Sequence, residues 1–465
     1  MTEEQKAKLR KALNESFAYR WSILLLVSFA MATNYYFYDV LSPIQEEIVK
    51  LFGSAALYGG IISAYSIPNT FFLMAVLGGI ICDRLGIRIT GTMFFSSMFV
   101  GSFLTYYGTT DYFIGGGIGY NFLNSFLTNY PPAFKMMAIG FFLFGLGAET
   151  SCVVIAKIVV RWFKGKELAT ALGVNVGIAR VASSLTFSVG AWMSDPVWNR
   201  PVILGAIIMT AGFLAFITYI FFDIALVRSE KTEETSAEKP KEEPFRVADV
   251  IKLLKTPSYL YIALLCVTFY SAVFPFNKFA VDLMQNKFLM TRQFAGLIVS
   301  VLPLAQAVIT PLFGWVCDYR GKSASLMILG SILLIMGHVT LSLTNLPPYV
   351  ALVMLGVAFS LVPAAMWPAL AKIVDLKRLG TAYGLTFSIQ NIGLFFTPML
   401  IGYVLDVSNP GVAAAKQAGE NVLYNYTNPI LMLAVYGFLG LIFAFLLLRE
   451  DKTSGFGLEQ PNKVK

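Results

Sequence analysis

Two ionisable residues stand where a chain this apolar has little reason to keep any. Glu149 lies about 12 residues before the basic boundary at Arg161, and Arg180 about 12 residues after Leu168, so at 1.5 Å per residue both sit ~18 Å in from the same edge. An ionisable group at mid-membrane costs at least about 2.5 kcal/mol on insertion scales, so each needs a partner or a water-filled cavity. A carboxylate and a guanidinium at one depth can hold the two ends of a zwitterion, an ammonium and a carboxylate. The competing reading is a mutual ion pair that only neutralises two buried charges, although an apolar pair would fill the same space without the desolvation cost.

Other polar residues fall near that depth. The first apolar run carries Asn34, Tyr35, Tyr38 and Asp39, with Tyr35 and Asp39 on one face at helical spacing. An interfacial aromatic belt is the alternative for Tyr38. The second half offers only neutral groups, Tyr270, Asn277, Gln306, Gln390 and Asn391, which can hydrogen-bond a peptide group or shape a pocket without adding charge. Asp39, Lys278 and Asp282 lie nearer the outer ends of their runs and either line a cavity or serve an outer gate; Lys278 and Asp282, four apart, could also simply pair on one helix face. The single histidine, His338, reads as a structural residue. No nucleophile–base constellation, metal-ligand cluster or phosphate loop is present, so neither an enzyme nor a metal or cofactor site is expected.

The elements that must position these groups are membrane spans. Of 465 residues 57% are hydrophobic and 13% charged, with a mean hydropathy of +0.68. Twelve apolar runs of about 20 residues begin near Tyr19, Leu57, Thr90, Phe134, Ala169, Pro201, Ser258, Gln293, Ser323, Pro348, Leu379 and Asn428. The expected fold is an all-α membrane protein of twelve transmembrane helices in two six-helix bundles, both termini cytoplasmic. Its parts are a cytoplasmic segment 1–18, bundles 19–227 and 258–449, a cytoplasmic linker 228–257 dense in Glu and Lys, and a tail 450–465. The net charge of +8 is spread over short loops rather than gathered in one patch, which argues against nucleic acid. About 27 of the 35 Lys and Arg fall on one side of the spans, including Lys164, Lys322 and Lys377, which sets the orientation. No removed signal peptide is expected, and Cys82, Cys152, Cys266 and Cys317 lie within runs or at their inner ends, with no disulfide expected.

An internal repeat divides the chain. Gly79-Ile-Ile-Cys-Asp83-Arg84-Leu-Gly86-Ile-Arg88 recurs as Gly314-Trp-Val-Cys-Asp318-Tyr-Arg320-Gly321-Lys322, and Ala156-Lys-Ile-Val159 recurs as Ala371-Lys-Ile-Val374. The glycines suit a short turn between closely approaching helices, and Asp83 and Asp318 can cap a helix N-terminus or pair with Arg88 or Lys322. The first copy resembles, at every signature position, the Gly-x-x-x-Asp-Arg-x-Gly-x-Arg turn of the major facilitator superfamily, and the resemblance covers essentially the whole chain. It implies a secondary transporter in which Gly79, Asp83, Arg84, Gly86, Arg88, Gly314, Asp318 and Arg320 act at the cytoplasmic gate.

Gly145-Leu-Gly-Ala-Glu149-Thr-Ser, Arg161-Trp-Phe-Lys-Gly-Lys-Glu-Leu168 and Gly177-Ile-Ala-Arg180, in that order, resemble the major facilitator superfamily domain-containing protein 1 group, the lysosomal dipeptide uniporters of animals. The resemblance implies that Glu149 and Arg180 hold the termini of a dipeptide. The Phe274-Pro275-Phe276 stretch, where a helix kink is expected, fits it as well. The Glu-x-x-Glu-Arg pattern of proton-coupled oligopeptide carriers is absent, which favours uniport by alternating access. With no acidic dileucine in the N-terminal segment, the cytoplasmic membrane of a prokaryote is expected rather than a lysosome. A monomer in a lipid bilayer is expected, with any accessory subunit left open. The alternatives are an organic-anion antiporter anchored on Arg180 and Lys278, a proton-coupled peptide symporter, a sugar or drug carrier and, last, a non-transporting receptor.

Overall fold

The computed structural model describes residues 16–163, 166–230, 247–375 and 378–461. The N-terminal residues 1–15, most of the expected linker (231–246), Lys164, Lys377 and the last four residues lie outside them. Among the described residues every regular element is helical, as a chain crossing lipid requires, because only a helix or a closed barrel satisfies its own backbone there.

The first half comprises α1 (Phe17–Tyr38), a 3-10 turn (Ser42–Ile44), α2 (Gln45–Phe52), α3 (Ala55–Ala64), α4 (Ile67–Phe72), α5 (Met74–Gly108), α6 (Asp111–Ile114), α7 (Tyr120–Asn124), α8 (Pro132–Phe163), α9 (Leu168–Met193) and α10 (Arg200–Glu230). A short α11 (Val247–Leu254) leads to the second half: α12 (Pro257–Phe288), α13 (Arg292–Arg320), α14 (Ser323–Leu343), α15 (Pro348–Ile373), α16 (Leu379–Ser408), α17 (Val412–Gln417) and α18 (Thr427–Ser454).

Eleven helical segments among the described residues are long and apolar enough to cross a membrane. The run expected to begin near Leu57 is not one continuous helix. It is divided among α3, α4 and the start of α5, with Pro68 in the first turn of α4 and Leu73 in the left-handed region before α5. Further along α5, Gly86 takes φ 78° and ψ 166°, a conformation that favours glycine, and the chain turns there between its second and third runs. At Pro275, where a kink is expected, α12 is one helical element from Pro257 to Phe288 with the proline inside it; proline fits helical φ, and the one backbone bond it removes is tolerated among neighbouring helices.

The repeat read in the sequence reappears as packing. In the first half α1 packs on α9 and α10, and α5 on α8 and α10; in the second α12 packs on α16 and α18, and α14 on α15 and α18. Two seams join the halves, α3 against α16 and α9 against α13. Both close tightly toward the end that the Lys/Arg distribution places outside. A Cβ on Gly59 would lie 2.2 Å from the Pro398 carbonyl oxygen, and one on Gly296 2.4 Å from that of Phe187. At the opposite end a Cβ on Gly79 or Gly314 would meet nothing within 4 Å. The close helix approach expected at these signature glycines is therefore not made in this conformation.

Candidate functional site

Glu149 projects from α8 and Arg180 from α9, both half-buried. They make no ion pair with each other: among the described residues the hydrogen bond to the Glu149 side chain comes from the Tyr65 hydroxyl, 3.2 Å from Oε1. Tyr65 stands at the break between α3 and α4, where α8 can approach because residue 145 is glycine; a Cβ there would lie 2.0 Å from the Tyr65 carbonyl oxygen. The Arg180 guanidinium lies between two rings, 5.4 Å from the centre of Tyr35 and 5.6 Å from that of Phe274 in the second half. A planar guanidinium against aromatic faces leaves its N–H edge available for a bidentate acceptor. An acceptor and a donor group thus stand apart at the junction of the halves.

An aromatic wall faces them. Tyr38 packs against Tyr65 at 4.7 Å and Phe274 at 6.0 Å between ring centres. Phe274 stacks on Tyr270 at 5.4 Å, the Tyr270 hydroxyl accepts from the indole N–H of Trp367 at 3.1 Å, and Trp367 stacks on Phe387 at 4.6 Å. Tyr383 donates to the Trp367 carbonyl at 3.1 Å.

Of the residues picked out by sequence, Tyr35, Tyr38 and Tyr270 join Glu149 and Arg180 in this arrangement. Asn34 lies beside it but is spent on structure, donating to the Ala148 carbonyl at 3.1 Å. Gln390 accepts from the Cys266 thiol at 3.6 Å, and Asn391 donates to Phe387 of its own helix at 3.0 Å. Asn277 and Gln306 are buried on α12 and α13, with no recorded bond to either charge. Tyr65, Trp367 and Phe387 were not singled out; the only sequence signal for Trp367 is a large indole inside a span.

Asp39, Lys278 and Asp282 lie where the two halves meet. The Lys278–Asp282 pairing that their spacing allows does not form, because the two side chains leave α12 toward different partners. Lys278 crosses to Asp39, with Nζ 2.6 Å from Oδ1 and both side chains nearly fully buried (1% and 5% exposed), and also donates to the Tyr38 carbonyl. Ser183 donates to the other Asp39 oxygen. Asp282 accepts from Gln45 at 3.3 Å and from the Tyr426 hydroxyl. Burial, with the Asp282 carboxylate alongside, holds that hydroxyl well above the usual phenol range, so it remains a donor. Tyr35 and Asp39, expected on one face, meet different groups, Tyr35 the Arg180 guanidinium and Asp39 the Lys278 ammonium. Outside these lie Arg292 with Glu46 and Glu47, Lys416 with Glu46, and Asp406, which accepts from Ser54 and from the Ala55 and Ala56 amides at the N-terminus of α3.

The signature turns also pair differently from expectation. Asp83 is bound by Lys157 of α8, not by Arg88. Arg88 instead reaches the buried Asp223 of α10, which Arg161 shares at 3.0 Å and to which Tyr219 donates at 3.1 Å. Arg84 and Arg320 are exposed, and Asp318 is half-buried. Lys322 pairs with Glu459 of the C-terminal tail at 3.5 Å. That tail lies over the second turn: Glu459 accepts from Ser325, Lys372 donates to the carbonyls of Gly457 and Gln460, and Leu458 is fully buried. His338 is fully buried on α14, its Nδ1 bonded to the Leu334 carbonyl at 2.9 Å while Nε2 has no partner among the described residues.

Comparison with known proteins follows this geometry. A model of the Major Facilitator Superfamily matches residues 24–279 and 276–462. The lysosomal dipeptide transporter MFSD1 of Mus musculus is 30% identical over 84% of this chain and 81% of its own length, and that of Homo sapiens is 30% identical over 84% and 80%. The probable galactarate/D-glucarate transporter GarP of Escherichia coli strain K12 is 25% identical over 87% and 92%. Among solved structures, a D-xylose–proton symporter superposes with a TM-score of 0.66 at 14% identity, covering 92% of this chain and 97% of its own.

Proposed function

The chain belongs to the Major Facilitator Superfamily, and from that premise we propose that it moves small zwitterionic solutes, dipeptides first among them, by uniport through alternating access. The observation that carries this reading is the separation of Glu149 from Arg180. Two charges placed level in a hairpin, each half-buried and neither neutralising the other, are arranged for a third party that brings both complementary charges. The α-ammonium of a dipeptide goes to Glu149 beside Tyr65, and its carboxylate to the N–H edge of Arg180. The curated MFSD1 relatives, described as lysosomal dipeptide transporters, support the same assignment.

A twelve-span topology with both termini inside, a monomeric state and the cytoplasmic membrane of a prokaryote belong to the same proposal. The α3–α4–α5 segment would then be a discontinuous second span, with its break placed beside Glu149. An organic-anion antiporter, which similarity to GarP brings to mind, is less well served. Glu149 opposes a dianion, and Lys278, its intended second anchor, is buried against Asp39.

The test is ligand-induced stabilisation of the purified chain by unblocked, N-blocked and C-blocked dipeptides, since a specific ligand raises the melting temperature by mass action. Unblocked dipeptides should stabilise the wild type, with N-blocking or Glu149→Gln, and C-blocking or Arg180→Ala, each removing the effect. Stabilisation by a dicarboxylate or a sugar in place of dipeptides would overturn the substrate assignment and leave the family standing.

A further inference from the structure

The two halves are copies in packing but not in chemistry at the midplane. By the register that sets Lys372 opposite Lys157, Ala364 takes the place of Glu149 and Trp367 that of Cys152; by the register that sets Gly384 opposite Gly173, Asn391 takes the place of Arg180. Charge in one half is answered by an indole in the other. If the dipeptide termini are both held by the first half, the atoms that differ between dipeptides turn toward the second.

We infer that Trp367, with Tyr270 and Phe387, forms the subsite that reads the substrate's side chain, an inference that rests on the zwitterion clamp above. Trp367 lies on the stripe Pro363, Trp367 and Ala371 of α15, which stays half-exposed while Ala364, Ala365, Met366, Ala369 and Leu370 around it are buried. Its indole is fixed in orientation by the N–H bond to the Tyr270 hydroxyl and by the stack on Phe387. The rings run without a gap from the charged site: Arg180 against Phe274, Phe274 on Tyr270, Tyr270 beside Trp367 at 6.5 Å, Trp367 on Phe387. Among the described residues no Lys or Arg is recorded over the rings of Tyr270, Trp367 or Phe387, so their electron-rich faces are not already occupied by a protein cation. Such a surface favours flat or large apolar side chains by ring contact and cationic ones by attraction to the ring face. An acidic side chain gains neither.

The experiment is competition of Ala-Gly, Ala-Phe, Ala-Lys and Ala-Glu against a labelled dipeptide bound to the full chain. For the wild type, Ala-Phe and Ala-Lys should compete at least about tenfold better than Ala-Gly, and Ala-Glu least well. Trp367→Ala should bring the four within about threefold of one another, and Trp367→Phe should retain the order. Phe387→Ala should flatten the same series, and serves if Trp367→Ala does not yield folded protein. An unchanged order in Trp367→Ala or Phe387→Ala, with terminal blocking still abolishing binding, overturns the subsite and leaves the clamp. Failure of every unblocked dipeptide to compete overturns the clamp and, with it, this subsite.

Discussion

Removing Lys278 should open the outer end of the protein. In the present conformation its ammonium lies 2.6 Å from Asp39, both side chains are nearly water-free, and among the described residues the only other donor to the Asp39 carboxylate is the Ser183 hydroxyl. Lys278→Ala leaves a buried carboxylate without its counter-charge, a change that costs about 3–5 kcal/mol. The cost falls on the outer-closed state alone, because parting the halves returns Asp39 to water. A shift of that size changes the ratio of closed to open by roughly 150- to 4,000-fold, enough to invert a preference of a few kcal/mol. The probe is Ser42→Cys, a position buried in the turn packed beneath α12, reacted in membranes with an impermeant maleimide added outside. Labelling should be slow with Lys278 present and at least about tenfold faster in Lys278→Ala. The double variant Asp39→Asn with Lys278→Met removes both charges and should return labelling most of the way to the starting rate, since an uncharged pair carries little penalty. Equal labelling in the single and double variants would refute the reasoning, because the pair would then not be what holds the end shut.

Three further outcomes follow from single contacts. Tyr65→Phe removes the hydrogen bond to Glu149 and should weaken dipeptide affinity about tenfold with little change in apo melting temperature, as read by titration of the purified protein. Gly59→Ala places a methyl 2.2 Å from the Pro398 carbonyl and should slow exchange flux in vesicles and raise outer labelling at Ser42→Cys, without loss of expression. Leu458→Asp puts a carboxylate at a fully buried position under the tail and should lower the melting temperature by several degrees, consistent with the ~1.5–3 kcal/mol of a buried leucine, while leaving ligand selectivity unchanged.

Different parts of this picture were legible in the sequence to different degrees, for physical reasons. Runs such as Pro348–Ile373 announce themselves because lipid demands length and apolarity together. Glu149 and Arg180 could be placed at one depth by counting, since helical rise is fixed. What counting cannot give is the partner across a seam. Lys278 and Asp282 are four apart and could have paired, but Asp39 and Tyr426 claim them from other elements. Asp223, which gathers Arg88 and Arg161, and Asp406, which caps α3, are ordinary acidic residues until the chain folds. Tyr65 and Trp367 were hidden for a different reason. In a chain with 22 Tyr and 39 Phe, ring residues in spans carry no signal of their own, and only the break after α3 and the stack on Phe387 distinguish these two.

The most direct test is dipeptide exchange in proteoliposomes: uptake of a labelled dipeptide into vesicles preloaded with the same unlabelled compound, with no pH gradient, for the wild type, Glu149→Gln and Arg180→Ala. A uniporter with a zwitterion clamp predicts rapid exchange by the wild type, unaffected by a protonophore, and loss of most of it in each variant. Exchange that persists when both charges are neutralised together would contradict the clamp, since Glu149 and Arg180 would then be structural residues of a carrier for something else.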